Sequence, residues 1–304
     1  MKKAILLLNM GGANSPDEVE VFLKNMFSDI HILPIKFNPI RRLVATAITR
    51  WRAGEAKSNL SHVGGRSPLI GNTKKLLKKL NRKIRAEAVM RYTPPFAKDV
   101  LEKLRRDNIE QLILFPLYPQ YSTTTTLSSF EDIFNTITEM NWGDVAIKTV
   151  PPYYRDRQFL QILAKSIKKG VPNPKEFHLI FSAHSLPQKV IDKGDPYLDQ
   201  IHTQIELLSK LLPQFKSINL AFQSKLGPVK WLEPSLDKTL EKFRGEKVAI
   251  YPISFVVDNI ETDFELNIQY REVAKRLGLL EYLVIPSLND SEEFIQFIFS
   301  KIKE

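Results

Sequence analysis

The sequence predicts an α/β protein with parallel β-sheets that are covered by helices on both faces. Short apolar runs bounded by turn residues recur along the chain, and amphipathic segments separate them. Strands that are buried on both faces have this near-continuous apolar character, and their alternation with helices is typical of parallel sheets. The expected strands are residues 3–10, 86–91, 111–116, 145–149, 177–183, 217–222, 247–252 and 281–285. Amphipathic helices are expected at residues 96–106, 159–169, 197–212 and 260–277.

A proline pair, Pro151 and Pro152, follows the fourth expected strand and is the best candidate for a hinge between two four-stranded halves. The 304 residues are enough for two hydrophobic cores of ordinary domain size. A last amphipathic helix, at residues 291–303, is expected to pack back on the first half. The predicted domains are therefore residues 1–150 together with 286–304, and residues 151–285.

Residues 31–52 interrupt the alternation, because they mix apolar side chains with four arginines, Arg41, Arg42, Arg50 and Arg52. Two interpretations stay open. The segment suits a basic, apolar lip or lid beside a binding site, and it equally suits an ordinary amphipathic helix packed on the body of the protein.

The composition limits the classes of protein that remain. The 44 Lys and Arg residues against 34 Asp and Glu residues give a formal charge of +10, which fits nucleic acid, an anionic membrane surface or a carboxylated ligand. With no Cys there is no disulfide, thiolate zinc site or cysteinyl iron–sulfur cluster, and a reducing cytoplasm is the expected setting. No apolar run approaches membrane-spanning length, so we expect a soluble or peripherally attached protein.

Polar and small residues gather directly after the expected strands, where open parallel sheets place their ligand crevice. If the two sheets face each other, these strand ends meet in one cleft. Gly11 and Gly12 also suggest a phosphate loop, but neither GxGxxG nor GxxxxGK[ST] is present. The segments are MGG at 10–12, RY at 91–92, YPQYS at 118–122, HS at 184–185, QSK at 223–225, and Asp258 with Glu261.

His184 ends an apolar strand run, so its imidazole is expected to point into the crevice, where it would accept a proton or bind a metal. The alternative is a strand-end histidine that is satisfied by its neighbours. Asp258, Glu261 and Glu265 fall within about 60° of one face of a helix that has about 100° per residue. A solvated acidic face is the alternative for this stripe, but its position after the strand at 247–252 favours the crevice.

Taken together, these segments resemble the ferrochelatase family, in order along nearly the whole chain. The resemblance is carried by LNMGG at 8–12, MRY at 90–92, YPQYS at 118–122, FSAHSLP at 181–187 with GDPY at 194–197, FQSKLGP at 222–228 with Trp231, and DNIETDFE at 258–265. It implies two Rossmann-like halves with a porphyrin in the cleft between them. The absence of Cys makes the chain resemble the short bacterial members, without a cluster.

The resemblance also implies roles for individual residues. His184 and Glu261 would be the central catalytic pair, and both would contact the metal. Glu265, and Asp258 as a further candidate, would extend a path for metal or protons. The porphyrin pocket would be lined by Met10, Arg91, Tyr92, Tyr121, Ser122, Gln223, Ser224 and Trp231. One departure stands out: position 259 is Asn where most relatives have His, so a mechanism that needs two histidines is not supported.

These roles fit the chemistry of inserting Fe²⁺ into protoporphyrin IX to make haem b. The reaction releases two protons without redox change. Fe²⁺ is then a substrate, and no tightly bound cofactor is expected. Apolar walls would bend the macrocycle, His184 would accept pyrrole protons, Glu261 would move protons or metal, and Arg91 would meet the propionates.

The sequence also admits other functions. A non-catalytic porphyrin or haem carrier is favoured only by Asn259. The same chemistry on coproporphyrin III remains open, as does the oligomeric state, and a chelatase for another tetrapyrrole or for cobalt would be expected to use a histidine pair. A nucleic-acid binder fits the charge but lacks a clustered basic helix or a known module. Peripheral contact with the inner membrane surface rests on residues 31–52.

Overall fold

The computed structural model describes residues 2–225 and 227–303, and the chain divides into two compact units. The first unit contains Met1–Tyr118, Ser122–Pro151 and Ile298–Glu304. The second contains Pro119–Tyr121 and Pro152–Phe297. Each unit has its own four-stranded sheet.

The sheet of the first unit is formed by β1 (Lys3–Asn9), β2 (Arg85–Met90), β3 (Gln111–Pro116) and β4 (Ala146–Thr149). All its neighbours are parallel, in the order β2-β1-β3-β4. The central strand β1 is almost entirely buried, as expected for a strand with helices on both faces.

The helices of the first unit are α1 (Glu18–Ser28), α2 (Asn38–Ser61), α3 (Pro68–Leu80), α4 (Ala97–Arg106) and α5 (Ser128–Glu139). A short π-helix, Thr123–Leu127, precedes α5. The side chains of α4 and α5 pack on one face of the sheet through Val100, Leu101, Leu104, Ile133 and Ile137.

In the arginine-containing segment at 31–52, residues 38–52 form the first part of α2 and residues 31–37 precede the helix. Its inner face buries Ala45, Thr49 and Ala53, so it packs on its own unit as an amphipathic helix does. Its outer face nevertheless leaves Leu43 72% and Trp51 73% exposed. The segment is therefore a packed helix that also carries an uncovered apolar stripe.

The second unit repeats the arrangement with β5 (Phe177–His184), β6 (Ser217–Gln223), β7 (Lys247–Pro252) and β8 (Glu281–Val284). These strands are parallel, in the order β6-β5-β7-β8. The helices are α6 (Arg157–Gly170), α7 (Gln188–Asp192), α8 (Tyr197–Leu211), α9 (Leu236–Leu240), a π-helix (Glu261–Gln269) that continues into α10 (Tyr270–Leu277), and α11 (Glu292–Lys303).

The final helix, α11, is divided between the units. The ring of Phe297 in this helix lies 5.3 Å from the ring of Tyr153 and 5.4 Å from that of Phe159, measured between ring centroids. All three residues belong to the second unit. The sequence assigned all of residues 286–304 to the first half. The structure places only Ile298–Glu304 there, since Phe297 lies in this aromatic cluster of the second unit.

The predicted fold class is confirmed, since two four-stranded parallel sheets flanked by helices are present. The expected strand limits agree with the structure to within one residue at each end. The helix expected at 260–277 differs in kind, because its first half, Glu261–Gln269, is a π-helix. Within residues 2–225 and 227–303, no helix has the length and apolar character needed to cross a membrane.

Candidate active site

The imidazole of His184 and the carboxylate of Glu261 form the centre of the candidate site. His184 is the last residue of β5, and Glu261 is the first residue of the π-helix that follows β7. The Nδ1 atom of His184 donates to Oε2 of Glu261 over 2.7 Å. Neighbouring parallel strands end at the same edge of a sheet, which is why residues 77 positions apart meet here. The other imidazole nitrogen, Nε2, takes no part in this hydrogen bond and can accept a proton or bind a metal.

Asn259 begins the helix that carries Glu261. Its side-chain Oδ1 accepts the backbone N–H of Glu261 at 2.7 Å and that of Thr262 at 3.4 Å. In return, the Thr262 hydroxyl oxygen accepts the backbone N–H of Asn259 at 3.0 Å. This reciprocal arrangement is a capping box, which satisfies N–H groups that the first helical turn leaves unpaired.

Ser224 links the first carboxylate of the helix to the second. It follows β6 with φ of +64°, a left-handed conformation, and its backbone N–H donates to Oε1 of Glu265 at 2.8 Å. Its Oγ lies 3.0 Å from Oε2 of Glu261 and also within hydrogen-bond contact of Oε2 of Glu265. Since Glu261 and Glu265 are four residues apart on the helix, both side chains reach the same hydroxyl.

A single hydroxyl proton cannot satisfy two ionised carboxylates at once. If Ser224 donates to Glu261, then Glu265 must be protonated and donate to Ser224. The electrostatics agree, because burial and the neighbouring Glu261 charge raise the pKa of Glu265 to about 7. The chain His184, Glu261, Ser224, Glu265 is thus a continuous line of hydrogen bonds that holds one exchangeable proton near neutral pH.

The two members of the central pair shift each other's protonation. Burial acts to lower the pKa of His184, but the Glu261 and Glu265 carboxylates outweigh it and hold this pKa above the ordinary value. Burial acts to raise the pKa of Glu261, but the charge and hydrogen bond of His184, together with the Ser224 hydrogen bond, hold it below the ordinary value. The pair therefore favours an imidazolium beside a carboxylate.

Asp258, expected on the same helical face, lies apart from this line. It precedes the π-helix, and its carboxylate accepts the Ser287 backbone N–H at 3.0 Å and the Asn289 side chain at 2.6 Å. The sequence pattern assumed that the helix already includes residue 258, whereas it begins later. Among the residues that the structure describes, no three His, Asp or Glu side chains converge to hold a metal ion.

Gln223 and Trp231, two further predicted pocket residues, belong to the same unit as the pair. Gln223 is fully buried, accepts the Ser182 hydroxyl at 2.5 Å, and places its amide 3.4 Å from Oε2 of Glu265. Trp231 is half-buried and pairs with Pro187 through an isolated β-bridge, so the segment after His184 holds it in place. No described residue accepts from its indole N–H.

Arg91, predicted to meet carboxylates of a ligand, is already paired inside the first unit. Its guanidinium lies 3.3 Å from Asp29 and 3.3 Å from Asp132, and its Nε donates to Ser128 at 2.9 Å. Tyr92 is fully buried and donates its hydroxyl to Asp29 at 2.9 Å. A propionate would have to compete with two carboxylates for Arg91, and Tyr92 offers no open surface.

Met10 and Ser122 also belong to the first unit, whereas Tyr121 belongs to the second. Met10 is half-buried just after β1, and its carbonyl accepts the backbone N–H of Tyr92 at 2.9 Å. Ser122 is buried and caps the short π-helix by accepting the Thr124 N–H at 3.1 Å. Tyr121 is half-buried, and its N–H donates to the Gln200 side chain at 2.7 Å.

Gly11 is explained by packing, since a Cβ built there would lie 2.3 Å from Oγ1 of Thr93 and φ is +96°. The double glycine therefore permits a close approach of two chain segments and needs no phosphate. Asp29 had no predicted role, because a single acidic side chain outside any motif carries no signal in the sequence.

The two four-stranded parallel sheets define a chelatase-like α/β fold. Solved chelatases share the fold: SirB from Bacillus subtilis with Fe³⁺ has a TM-score of 0.59 at 13% identity, covering 100% of this chain and 95% of that one. CbiX, described as the terminal enzyme of sirohaem biosynthesis in denitrifying bacteria, has a TM-score of 0.52 at 10% identity, covering 100% and 98%. At such identities the likeness concerns the fold alone.

The sequence comparisons are more specific. The ferrochelatase family model matches residues 2–304. The ferrochelatase of Nitratiruptor sp. is 46% identical over 299 residues, covering 96% of each chain. That of Wolinella succinogenes is 47% identical over 313 residues, covering 100% of this chain and 99% of the relative. The chain belongs to the ferrochelatase family and is a lyase.

Proposed function

We propose that this protein inserts Fe²⁺ into protoporphyrin IX to form haem b, releasing two protons without redox change. The observation that carries the proposal is the 2.7 Å contact between Nδ1 of His184 and Oε2 of Glu261. It leaves Nε2 to accept a proton from a ligand, and it supplies a carboxylate that stabilises the resulting imidazolium. Fe²⁺ enters as a substrate, so no resident metal or cofactor is required.

The reaction must remove water from Fe²⁺ and remove two pyrrole protons from the ring that receives it. His184 accepts the first pyrrole proton at Nε2, and its Nδ1 proton passes to Glu261, which leaves a neutral imidazole with its proton on Nε2. Regeneration of His184 for the second pyrrole proton then requires this Nε2 proton to leave and Nδ1 to be protonated again. Because the nearby carboxylates raise the pKa of His184, this regeneration needs a route that takes the proton away from the pair.

Ser224 and Glu265 supply that route. A proton on Oε2 of Glu261 moves to Oγ of Ser224 as the Ser224 hydroxyl proton moves to Oε2 of Glu265, so no charge is left on the serine. Glu265, with a pKa of about 7, can both take up and release a proton near neutral pH. Matching the pKa of such a group to the working pH favours transfer in both directions.

We propose that the same carboxylates contact the metal transiently. Oxygen ligands suit Fe²⁺ and release it more readily than thiolates do. His184, Glu261 and Glu265 are the candidates, whereas Asp258 is engaged by Ser287 and Asn289. The half-buried side chains of Tyr121 and Trp231, both in the second unit, are the proposed apolar contacts that favour a bent macrocycle, which is nearer the transition state than a flat one.

The substrate is tested by an anaerobic absorbance assay that follows Fe²⁺ and Zn²⁺ insertion into protoporphyrin IX and coproporphyrin III. We expect a higher kcat/KM for protoporphyrin IX with either metal. Preference for coproporphyrin III would overturn the substrate assignment but would leave the proposal of metal insertion into a porphyrin intact. Tight porphyrin binding without turnover would identify a porphyrin carrier instead.

We also propose that the protein works in the cytoplasm and contacts the inner membrane surface through α2. Ile40, Leu43 and Trp51 share one exposed helical stripe at spacings of three and eight residues, and all are more than half exposed. Exposed Arg50 lies beside the stripe. An apolar stripe with an arginine at its edge suits anionic headgroups above acyl chains.

Vesicle co-sedimentation at low salt tests this contact with membranes of phosphatidylcholine and phosphatidylglycerol. The wild type should bind these vesicles and be released by added salt, and Leu43→Ser with Trp51→Ser should lose the binding. Leu280→Ser is the matched control, since Leu280 is 71% exposed but lies in the second unit. Equal sedimentation of all the variants, or none by the wild type, would contradict the proposal.

A further inference from the structure

The backbone of His184 has no strand neighbour on its β7 side, where the last paired residues are Ser182 and Pro252. The N–H of Ile253 still donates to the carbonyl of Ser182 at 3.0 Å. In a regular parallel ladder the carbonyl of Ile253 would then accept the N–H of His184. That carbonyl instead accepts the Gln120 side chain at 3.1 Å, so the ladder ends before His184.

Two side-chain hydroxyls replace the missing strand. Ser254 Oγ accepts the N–H of His184 at 3.1 Å, and the hydroxyl of Tyr197 donates to the carbonyl of His184 at 2.9 Å. The two hydroxyl oxygens lie 2.6 Å apart. Because the hydroxyl proton of Tyr197 is donated to the carbonyl of His184, the hydroxyl of Ser254 must donate to the hydroxyl oxygen of Tyr197. The three residues form a closed ring in which every donor is used once.

The ring is built from fixed parts. Tyr197 is buried at the start of α8, where its backbone N–H donates to Oδ1 of Asp195 at 3.0 Å. Burial raises the pKa of Tyr197, so its hydroxyl stays protonated and able to donate. Ser254 is also buried, two residues after the end of β7. Neither residue contacts the Glu261 carboxylate in the hydrogen-bonded line described above.

We propose that Tyr197 and Ser254 are positioning residues that fix the backbone of His184, so that its imidazole stays against Glu261 with Nε2 free for substrate. This inference rests on the proposed role of His184. On the β7 side, the ring supplies the hydrogen-bond partners of both the N–H and the carbonyl of His184. Losing either hydroxyl therefore leaves buried groups unpaired and lets the residue turn. A small misplacement of a reacting group is enough to lower turnover strongly.

Removing one hydroxyl at a time tests the positioning role. Tyr197→Phe and Ser254→Ala should each lower kcat for Zn²⁺ insertion about ten- to a hundredfold and leave the porphyrin KM within about twofold. Tyr251→Phe is the matched control, because its buried hydroxyl in the same sheet has no partner among the described residues. Unchanged kcat in both ring variants, or an equal loss in Tyr251→Phe, would overturn the proposal.

The closed ring also predicts how the variants combine. Since either change opens the same ring, Tyr197→Phe with Ser254→Ala should be no slower than the slower single variant. Multiplied losses would mean two independent effects and would overturn the ring. Ser254→Thr, which keeps a hydroxyl, should retain more activity than Ser254→Ala.

A measurement without turnover separates this inference from the proposed function. In histidine-labelled, metal-free protein, the Nδ1–H of His184 should give a downfield NMR signal that His184→Ala identifies. The signal should be lost or move in Tyr197→Phe and Ser254→Ala and persist in Tyr251→Phe. Persistence in both ring variants overturns the positioning role even if the enzyme is a chelatase. If Tyr197→Phe does not fold, Ser254→Ala decides.

Discussion

Asn259 accepts the backbone N–H of Glu261 through its side-chain Oδ1, at 2.7 Å. The residue that stands where most relatives are expected to have histidine is therefore a helix cap in this chain. Its side-chain oxygen is engaged by the backbone N–H groups of Glu261 and Thr262. The one departure from the family pattern thus supports the placement of Glu261 and gives no reason to expect a lost activity.

The cap predicts a measurable stability effect. Asn259→Ala should lower the free energy of unfolding by about 1 kcal/mol, the usual contribution of an N-cap side chain. Asn259→Ser, which keeps a capping oxygen, should retain most of it. Urea unfolding followed by circular dichroism measures both. Equal stability of the Ala variant and the wild type would mean that the capping box contributes nothing.

The pH dependence of the reaction should report the central pair. His184 accepts a proton only when neutral, so activity should rise with pH through its raised pKa. Glu261→Gln removes the carboxylate that contributes most to raising the pKa of His184, so this pKa falls. The rising limb of log(kcat/KM) against pH should then move to lower pH, at a reduced maximum. If the rising limb of Glu261→Gln stays at the wild-type pH, a group other than His184 controls the pH dependence.

The Ser224 hydroxyl should be required for rapid turnover. Ser224→Gly suits the left-handed backbone at φ +64° and removes only the hydroxymethyl group. Without the relay, kcat should fall about a hundredfold, at the low end of the range for proton transfer. Ser185→Ala is the control, because the Ser185 hydroxyl is buried without a partner among the described residues. Equal turnover in the two variants would refute the relay.

Arg91 is predicted to stabilise its unit more than it binds porphyrin. Arg91→Ala leaves Asp29, 5% exposed, without its cation, so unfolding should become easier by about 3 kcal/mol. The porphyrin KM should change by less than about threefold, a loss of roughly 0.6 kcal/mol or less. Denaturation and steady-state kinetics on one preparation measure both quantities. A large rise in KM with unchanged stability would restore Arg91 as a propionate ligand.

Much of this arrangement was predictable from the sequence, for a physical reason. Doubly buried strands such as β1 and β3 are apolar at nearly every position, so their limits are visible without a structure. His184 and Glu261 follow such strands directly, and the edge of the sheet then brings them together. Their separation in the chain did not prevent the prediction that they lie close together.

Other features depended on details that periodicity does not contain. The π-helix at Glu261–Gln269 has the same apolar and acidic pattern as an α-helix, so its start after Asp258 was not visible. The pairing of Arg91 with Asp29 joins residues 62 positions apart in different elements, and no motif connects them. The contact of Tyr197 with Ser254 likewise arises only because β7 ends before β5 does.

The most direct test of the account is single-turnover Zn²⁺ insertion into protoporphyrin IX by the wild type, His184→Ala and the exposed-histidine control His202→Ala, with porphyrin binding measured by fluorescence. We predict that His184→Ala binds porphyrin as the wild type does but inserts metal at least about a hundredfold more slowly, while His202→Ala is unchanged. Insertion by His184→Ala at the wild-type rate would contradict the claim that this imidazole takes the pyrrole protons.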